Sequence, residues 1–184
     1  MSVRLLLVTG STRPGSTNSA ALRTARALHD DAMATVYEQL AELPSFNPDD
    51  DHEPLPVAVV TLRAEIAAAD AVLFCTPEYA GTLPGSFKNL LDWTVGGGEM
   101  DRKPVAWINV AAPGRGTGAD TTLTTVLGYL GAAIAPSSGL RVPVAHEAVG
   151  ADGLIRDPAT REKLADGLAT LVGELEAAQQ DLEP

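Results

Sequence analysis

The residues best suited to chemistry stand close together near the start of the chain. They read Thr9-Gly10-Ser11-Thr12-Arg13-Pro14-Gly15-Ser16-Thr17-Asn18. A glycine-rich turn aims backbone N–H groups and a helix N-terminus at one point, which suits a phosphate. Ser11, Thr12, Ser16 and Thr17 add hydroxyl donors. Asn18 is the predicted N-cap of the helix that follows. Arg13 adds a permanent charge with forked donors. Each charge-assisted hydrogen bond contributes roughly 1.5–3 kcal/mol, so several donors meeting one dianion suffice to anchor a cofactor.

Gly10-x-x-x-x-Gly15-Ser16-Thr17 nearly spells the nucleotide-binding G-x-x-x-x-G-K-[ST]. The lysine position holds Ser16, and no predicted strand ends in the Asp that would bind Mg²⁺. That argues against a nucleotide triphosphatase. G-x-G-x-x-G is absent too, so the first turn does not predict direct dinucleotide binding. Asp49, Asp50, Asp51 and His52 are consecutive and do not converge easily on one ion. His29, His52 and His146 show no ligand spacing. The sequence therefore offers no metal site and no acid–base dyad, and no catalytic side chain is assigned.

The elements around the loop alternate. Val3–Val8 is an apolar run that reads as a buried strand. After the loop, Ala21, Leu22, Ala25 and Leu28 share one helical face. Ala34–Leu40 is a second strand. Val59, Leu62, Ile66 and Ala69 mark a helix whose first turn suits Pro56. Ala71–Cys75 is apolar on both faces, as a central parallel strand is. Thr76–Trp93 begins as a Pro/Gly loop and ends as a helix with Phe87, Leu90 and Leu91 inward. Pro104–Val110 is the fourth strand, and Ala112–Gly118 is a further glycine loop. The next helix shows Leu123, Val126, Leu127 and Leu130. A fifth strand falls within Gly131–Val144. Asp157-Pro158 opens a last helix with Leu164, Leu168, Val172 and Leu175 inward. This alternation predicts a doubly wound α/β fold with a five-stranded parallel sheet. The loops after strands one, three and four would then meet in one crevice beyond the strand ends.

At 184 residues, the chain (1–184) is expected to form a single domain. Its net charge of −11 opposes nucleic-acid binding, which needs a basic face. It also opposes anionic membrane surfaces. The one cysteine, Cys75, excludes an intrachain disulfide. No apolar run reaches the roughly 20 residues of a membrane helix. A soluble, cytoplasmic protein is expected.

Two stretches carry a resemblance to a known family. Gly10–Asn18 resembles the phosphate loop of the NAD(P)H-dependent FMN reductases, G-S-x-R-x-x-S-x-N. Thr76-Pro77-Glu78-Tyr79-Ala80-Gly81-Thr82-Leu83-Pro84-Gly85-Ser86-Phe87-Lys88-Asn89-Leu90-Leu91-Asp92-Trp93 resembles their second signature, T-P-E-Y-N-x-S-x-P-G-x-L-K-N-x-x-D-W. The resemblance implies a flavodoxin-like three-layer sandwich with strand order 2-1-3-4-5, and a homodimer or homotetramer. It implies FMN as cofactor and NADPH or NADH as co-substrate. The acceptor would be a small molecule: a quinone, flavin, azo compound or metal oxyanion. Ser11, Arg13, Ser16, Thr17 and Asn18 would hold the FMN phosphate. Pro77, Glu78, Tyr79, Ala80 and Gly81 would wrap the isoalloxazine through backbone groups, with Gly114, Arg115 and Gly116 flanking it. Ala80 departs from the usual Asn. Lys88, Asp92 and Trp93 read as structural. The rival class is a flavodoxin-type electron carrier, and a flavin-binding sensor without turnover is a third.

Overall fold

The computed structural model describes residues 3–29 and 33–180. Strand β1 (Leu5–Thr9) leads through the glycine loop into α1 (Thr17–Leu28). Then come β2 (Ala34–Tyr37), α2 (Val57–Ala68), β3 (Ala71–Cys75), α3 (Gly85–Asp92) and β4 (Pro104–Asn109). The chain continues as α4 (Thr117–Tyr129), β5 (Ala133–Ile134), β6 (Leu140–Arg141) and α5 (Pro158–Gln180). All the strand pairings are parallel, in the order β2-β1-β3-β4-β5 expected from the resemblance.

The fifth strand is the one element that differs in kind. It is split into β5 and β6, which pair with the two ends of β4: Pro104 opposite Ala133, and Asn109 opposite Arg141. Pro136, which has no N–H to donate, lies in the break.

Period-two alternation along each strand feeds two cores. Leu5, Leu7, Leu73, Cys75, Ala106 and Ile108 face α1 and α5. Leu6, Val8, Val72, Phe74, Val105 and Trp107 face α2, α3 and α4. The predicted inward positions of α1 to α4 lie in these cores. In α5 the fully buried set is Leu164, Leu168, Leu171 and Leu175. Leu171 takes the place expected for Val172, which packs from the flank.

The strand ends opposite the glycine loops are tied by charge. Arg4 donates to Asp70 from its backbone N–H (2.9 Å), Nε (3.1 Å) and Nη2 (2.7 Å). These bonds hold the Asp70 carboxyl below the usual carboxylate range. No described helix is long and apolar enough to cross a membrane.

Candidate functional site

Parallel register aligns the carboxyl ends of β1 and β3, with Thr9 opposite Cys75. The Gly10 N–H extends that ladder by donating to the Cys75 carbonyl at 2.8 Å. A Cβ on Gly10 would fall 2.2 Å from Thr76 Oγ1. Only glycine lets the two loops start side by side.

The first loop is organised by its own hydroxyls. Ser16 is the N-cap of α1: its Oγ accepts the Ser19 N–H at 3.1 Å. The expected cap, Asn18, lies two residues further in and is buried. Its Oδ1 accepts the Cys75 Sγ–H at 3.3 Å. Ser fits the cap better because its short side chain reaches back to the third N–H of the helix. Burial pushes the Cys75 thiol far above its ordinary range.

Four backbone donors of this loop, on Thr12, Gly15, Thr17 and Asn18, have no partner among the described residues. Gly15 has φ +70°, and nothing lies within 4 Å of where its Cβ would be. The Arg13 side chain is exposed and unpaired among the described residues. The Ser11 hydroxyl accepts the Arg13 N–H at 3.3 Å, a weak bond that leaves it free to donate. Free N–H groups at a helix start, hydroxyls and one guanidinium form a donor set that fits a phosphate.

The second loop turns on Tyr79–Thr82, whose end residues exchange backbone bonds of 2.9 and 3.0 Å. Ala80 (φ 51°) and Gly81 (φ 75°) are both left-handed, as in a type I′ turn. Such turns favour Asn-Gly, which gives a backbone reason for the Asn common at this position in the resembled family. Tyr79 is half exposed, and Ala80 and Gly81 are exposed. The Ala80 and Gly81 N–H groups make no bond among the described residues, as an edge that meets a flat ring requires.

The Glu78 side chain points elsewhere. Its Oε2 accepts the N–H groups of Gly118 (2.7 Å) and Ala119 (3.2 Å). It therefore caps α4, whose own N-cap, Gly116, has no side chain to offer. Thr82 and Thr122 hydroxyls meet at 2.9 Å beside it. A Cβ on Gly118 would sit 2.0 Å from the Gly81 carbonyl. The loops after β3 and β4 are clasped together, and sequence reasoning did not find the clasp. The available signal was a helix opening Gly116-Thr117-Gly118 without a capping side chain.

The third loop rests on a second undetected residue, Asp120. Its carboxylate accepts Trp107 Nε1 (3.0 Å), Asn109 Nδ2 (2.8 Å) and Arg141 Nη2 (2.8 Å). Asn109 Nδ2 also donates to the Gly116 carbonyl (3.1 Å), and Arg141 Nη1 to the Arg115 carbonyl (2.7 Å). Gly114 and Arg115 are exposed and Gly116 is buried. The Arg115 side chain makes no hydrogen bond or ion pair among the described residues, whereas its backbone is fixed.

The end of the second signature braces another loop. Asn89 accepts the Phe46 N–H (2.7 Å) and donates to the Pro44 carbonyl (2.9 Å), which Trp93 Nε1 also meets (2.8 Å). Phe46 and Trp93 stack edge-on at 5.0 Å. Lys88 pairs with Asp92 one turn on. These side chains are engaged within the fold. Among the described residues no group of His, Cys, Asp or Glu could hold a metal ion.

A family model described as NADPH-dependent FMN reductase matches residues 3–147. The chain is 33% identical to an NAD(P)H-dependent FMN reductase of Pseudomonas aeruginosa, over 92% of this chain and 93% of that one. It is 34% identical to a quinone reductase of Pseudomonas putida, over 67% of this chain and 69% of that one. Among solved structures it is similar to FerB, a flavoenzyme NAD(P)H:(acceptor) oxidoreductase from Paracoccus denitrificans. There the TM-score is 0.78 at 27% identity, covering 95% of this chain and 98% of that one.

Proposed function

The chain belongs to the NADPH-dependent FMN reductase family, and we propose on that premise how its own residues serve the reaction. It is an oxidoreductase that uses FMN with NADPH or NADH. Bound FMN supplies the hydride transfer between nicotinamide and acceptor.

The N–H groups of Thr12, Gly15, Thr17 and Asn18, with Ser11, Ser16 and Arg13, hold the flavin phosphate. The Asn18 Oδ1 is committed to Cys75, so Asn18 serves through its backbone N–H and its Nδ2 donors. Pro77 and the Tyr79-Ala80-Gly81 turn offer main-chain groups to one edge of the ring system. Gly114, Arg115 and Gly116 flank the other. The Glu78 carboxylate keeps the two loops at a fixed separation. No side chain moves a proton in this scheme. The single observation that carries it is the convergence of the free phosphate donors with the exposed turn at the carboxyl edge of β1, β3 and β4.

Small electrophilic acceptors, with quinones foremost and azo compounds, flavins and metal oxyanions beside them, take the same open face in turn. The quinone reductase likeness supports that reading. The reductase domain spans residues 1–184 and works in the cytoplasm as a homodimer or homotetramer. The exposed apolar side chains of Val57, Val60 and Tyr129 on the α2 and α4 side support association.

Anaerobic stopped-flow mixing of the yellow protein with NADPH is the test. Bleaching of the flavin band, then re-oxidation by a quinone without any partner protein, is expected. A flavin that stays oxidised refutes the reductase reading, and dependence on a partner protein favours an electron carrier.

A further inference from the structure

The whole chain is acidic, with a net charge of −11, yet the carboxylates of the loops around the site are already engaged. Glu78 accepts the N–H groups of Gly118 and Ala119 at the start of α4. Asp120 pairs with Arg141 at 2.8 Å and also accepts from Trp107 and Asn109. Arg13 and Arg115, by contrast, are exposed, and their side chains make no hydrogen bond or ion pair among the described residues. Arg13 belongs to the phosphate loop after β1, and Arg115 to the loop after β4. Since β3 lies between those strands, the two loops start about 10 Å apart. A phosphate seated in the first loop leaves the Arg115 charge without an anion of its own.

The root of Arg115 is nevertheless held firmly. Its N–H donates to the Ala112 carbonyl at 3.0 Å, and its carbonyl accepts Arg141 Nη1 at 2.7 Å. Gly114 (φ 78°) and Gly116 (φ 84°) on either side are both left-handed. A Cβ on Gly116 would fall 2.6 Å from Asn109 Nδ2 and Oδ1, so the turn is fitted closely to the end of β4. Arg141 grips Arg115 only through the carbonyl, and its own charge is met by Asp120. A fixed backbone with an uncompensated guanidinium is what binding a multiply charged oxyanion requires, because the forked donors match phosphate oxygens.

We propose, resting on the reading that FMN occupies the crevice, that Arg115 binds a phosphate group of the nicotinamide dinucleotide. Hydride transfer requires the nicotinamide to meet the flavin ring, so the rest of the dinucleotide leaves the crevice over its rim. The exposed stretch Ala112–Arg115 stands on that rim. NADH and NADPH share a pyrophosphate, and NADPH carries a 2′-phosphate besides; both present the same oxyanion chemistry to a guanidinium. An unbalanced arginine at the rim also offsets the repulsion that an acidic protein exerts on an anionic donor.

Calorimetric titration of the FMN-loaded full chain with NADP⁺ and NAD⁺, beside KM and kcat for NADPH and NADH, tests this. Arg115→Ala is expected to weaken NADP⁺ binding and raise the KM for NADPH about tenfold, with a smaller effect on kcat. Arg115→Lys, which keeps the charge but not the fork, should recover part of the loss. A loss confined to NADP⁺ and NADPH supports the proposal with the 2′-phosphate as the group bound. An equal loss for both nucleotides supports it with the pyrophosphate. Affinities and KM values within twofold of the parent for both overturn it. So does a variant that no longer retains FMN, which makes Arg115 a flavin ligand instead. A parent protein that holds FMN but is reduced by neither donor overturns the reductase reading together with this one, whereas failure in the variant alone leaves that reading standing.

Discussion

Replacing Glu78 by alanine separates the two roles this residue can have, because its backbone belongs to the ring-facing turn and its side chain to the α4 cap. Alanine keeps the first and deletes the second. The side chain makes two charge-assisted bonds, of 2.7 and 3.2 Å. The shorter is near optimal and the longer stands at the edge of the useful range. Charged hydrogen bonds contribute about 1.5–3 kcal/mol each, and the helix end adds about 0.3–1 kcal/mol. Gly118 is only half-buried, so water replaces part of what is lost. A net loosening of about 2 kcal/mol between the loops remains, or about 30-fold in an equilibrium. FMN affinity, measured by fluorescence titration, should fall by up to that factor, and Tm by about 4–8 °C. Glu78→Gln keeps one acceptor and should lose only about threefold to fivefold. An alanine variant that binds FMN within twofold of the parent would refute the reasoning. The clasp would then be a local cap with no hold on the ring site.

Three further outcomes are expected. Arg13→Ala should weaken FMN binding about tenfold or more without moving Tm, since the side chain is exposed and makes no hydrogen bond or ion pair among the described residues; undiminished affinity removes Arg13 from the phosphate site. Ala80→Asn should raise Tm by about 2 °C, because Asn tolerates the left-handed conformation that costs Ala about 1 kcal/mol; calorimetry showing no rise means the turn relaxes. Asp70→Asn should lower stability at neutral pH. The Arg4 bonds depress the folded-state pKa of Asp70, so their stabilisation is present above the unfolded carboxylate value, about 4. It is lost as pH falls through the folded value. Urea midpoints of parent and variant should therefore converge in acid, and a difference that persists unchanged contradicts the assignment.

The order of elements was legible in the sequence because strand and helix periods differ. Continuous apolar runs such as Leu5–Val8 and Ala71–Cys75 leave little choice but a central parallel strand. The split of the fifth strand was not legible, since two-residue pairings have no period. Within the site, the loops were legible from local composition. The Glu78 cap and the Asp120 cluster were not. Both join residues far apart in sequence, and a carboxylate in a loop looks alike whether it meets water or a helix end. Asn18 shows the converse error. Residue type suits it to a cap, but the position of the loop in the fold turned it toward Cys75 and left the cap to Ser16.

That same Cys75 sits where electrophiles are the expected traffic. Only a thiolate attacks such molecules readily. Here burial opposes ionisation, and the sulfur's one donor bond is spent on the Asn18 amide. The lone thiol of the chain is thereby shielded from adduct formation by the compounds the enzyme reduces. Turnover can proceed beside it without the protein scavenging its own substrates.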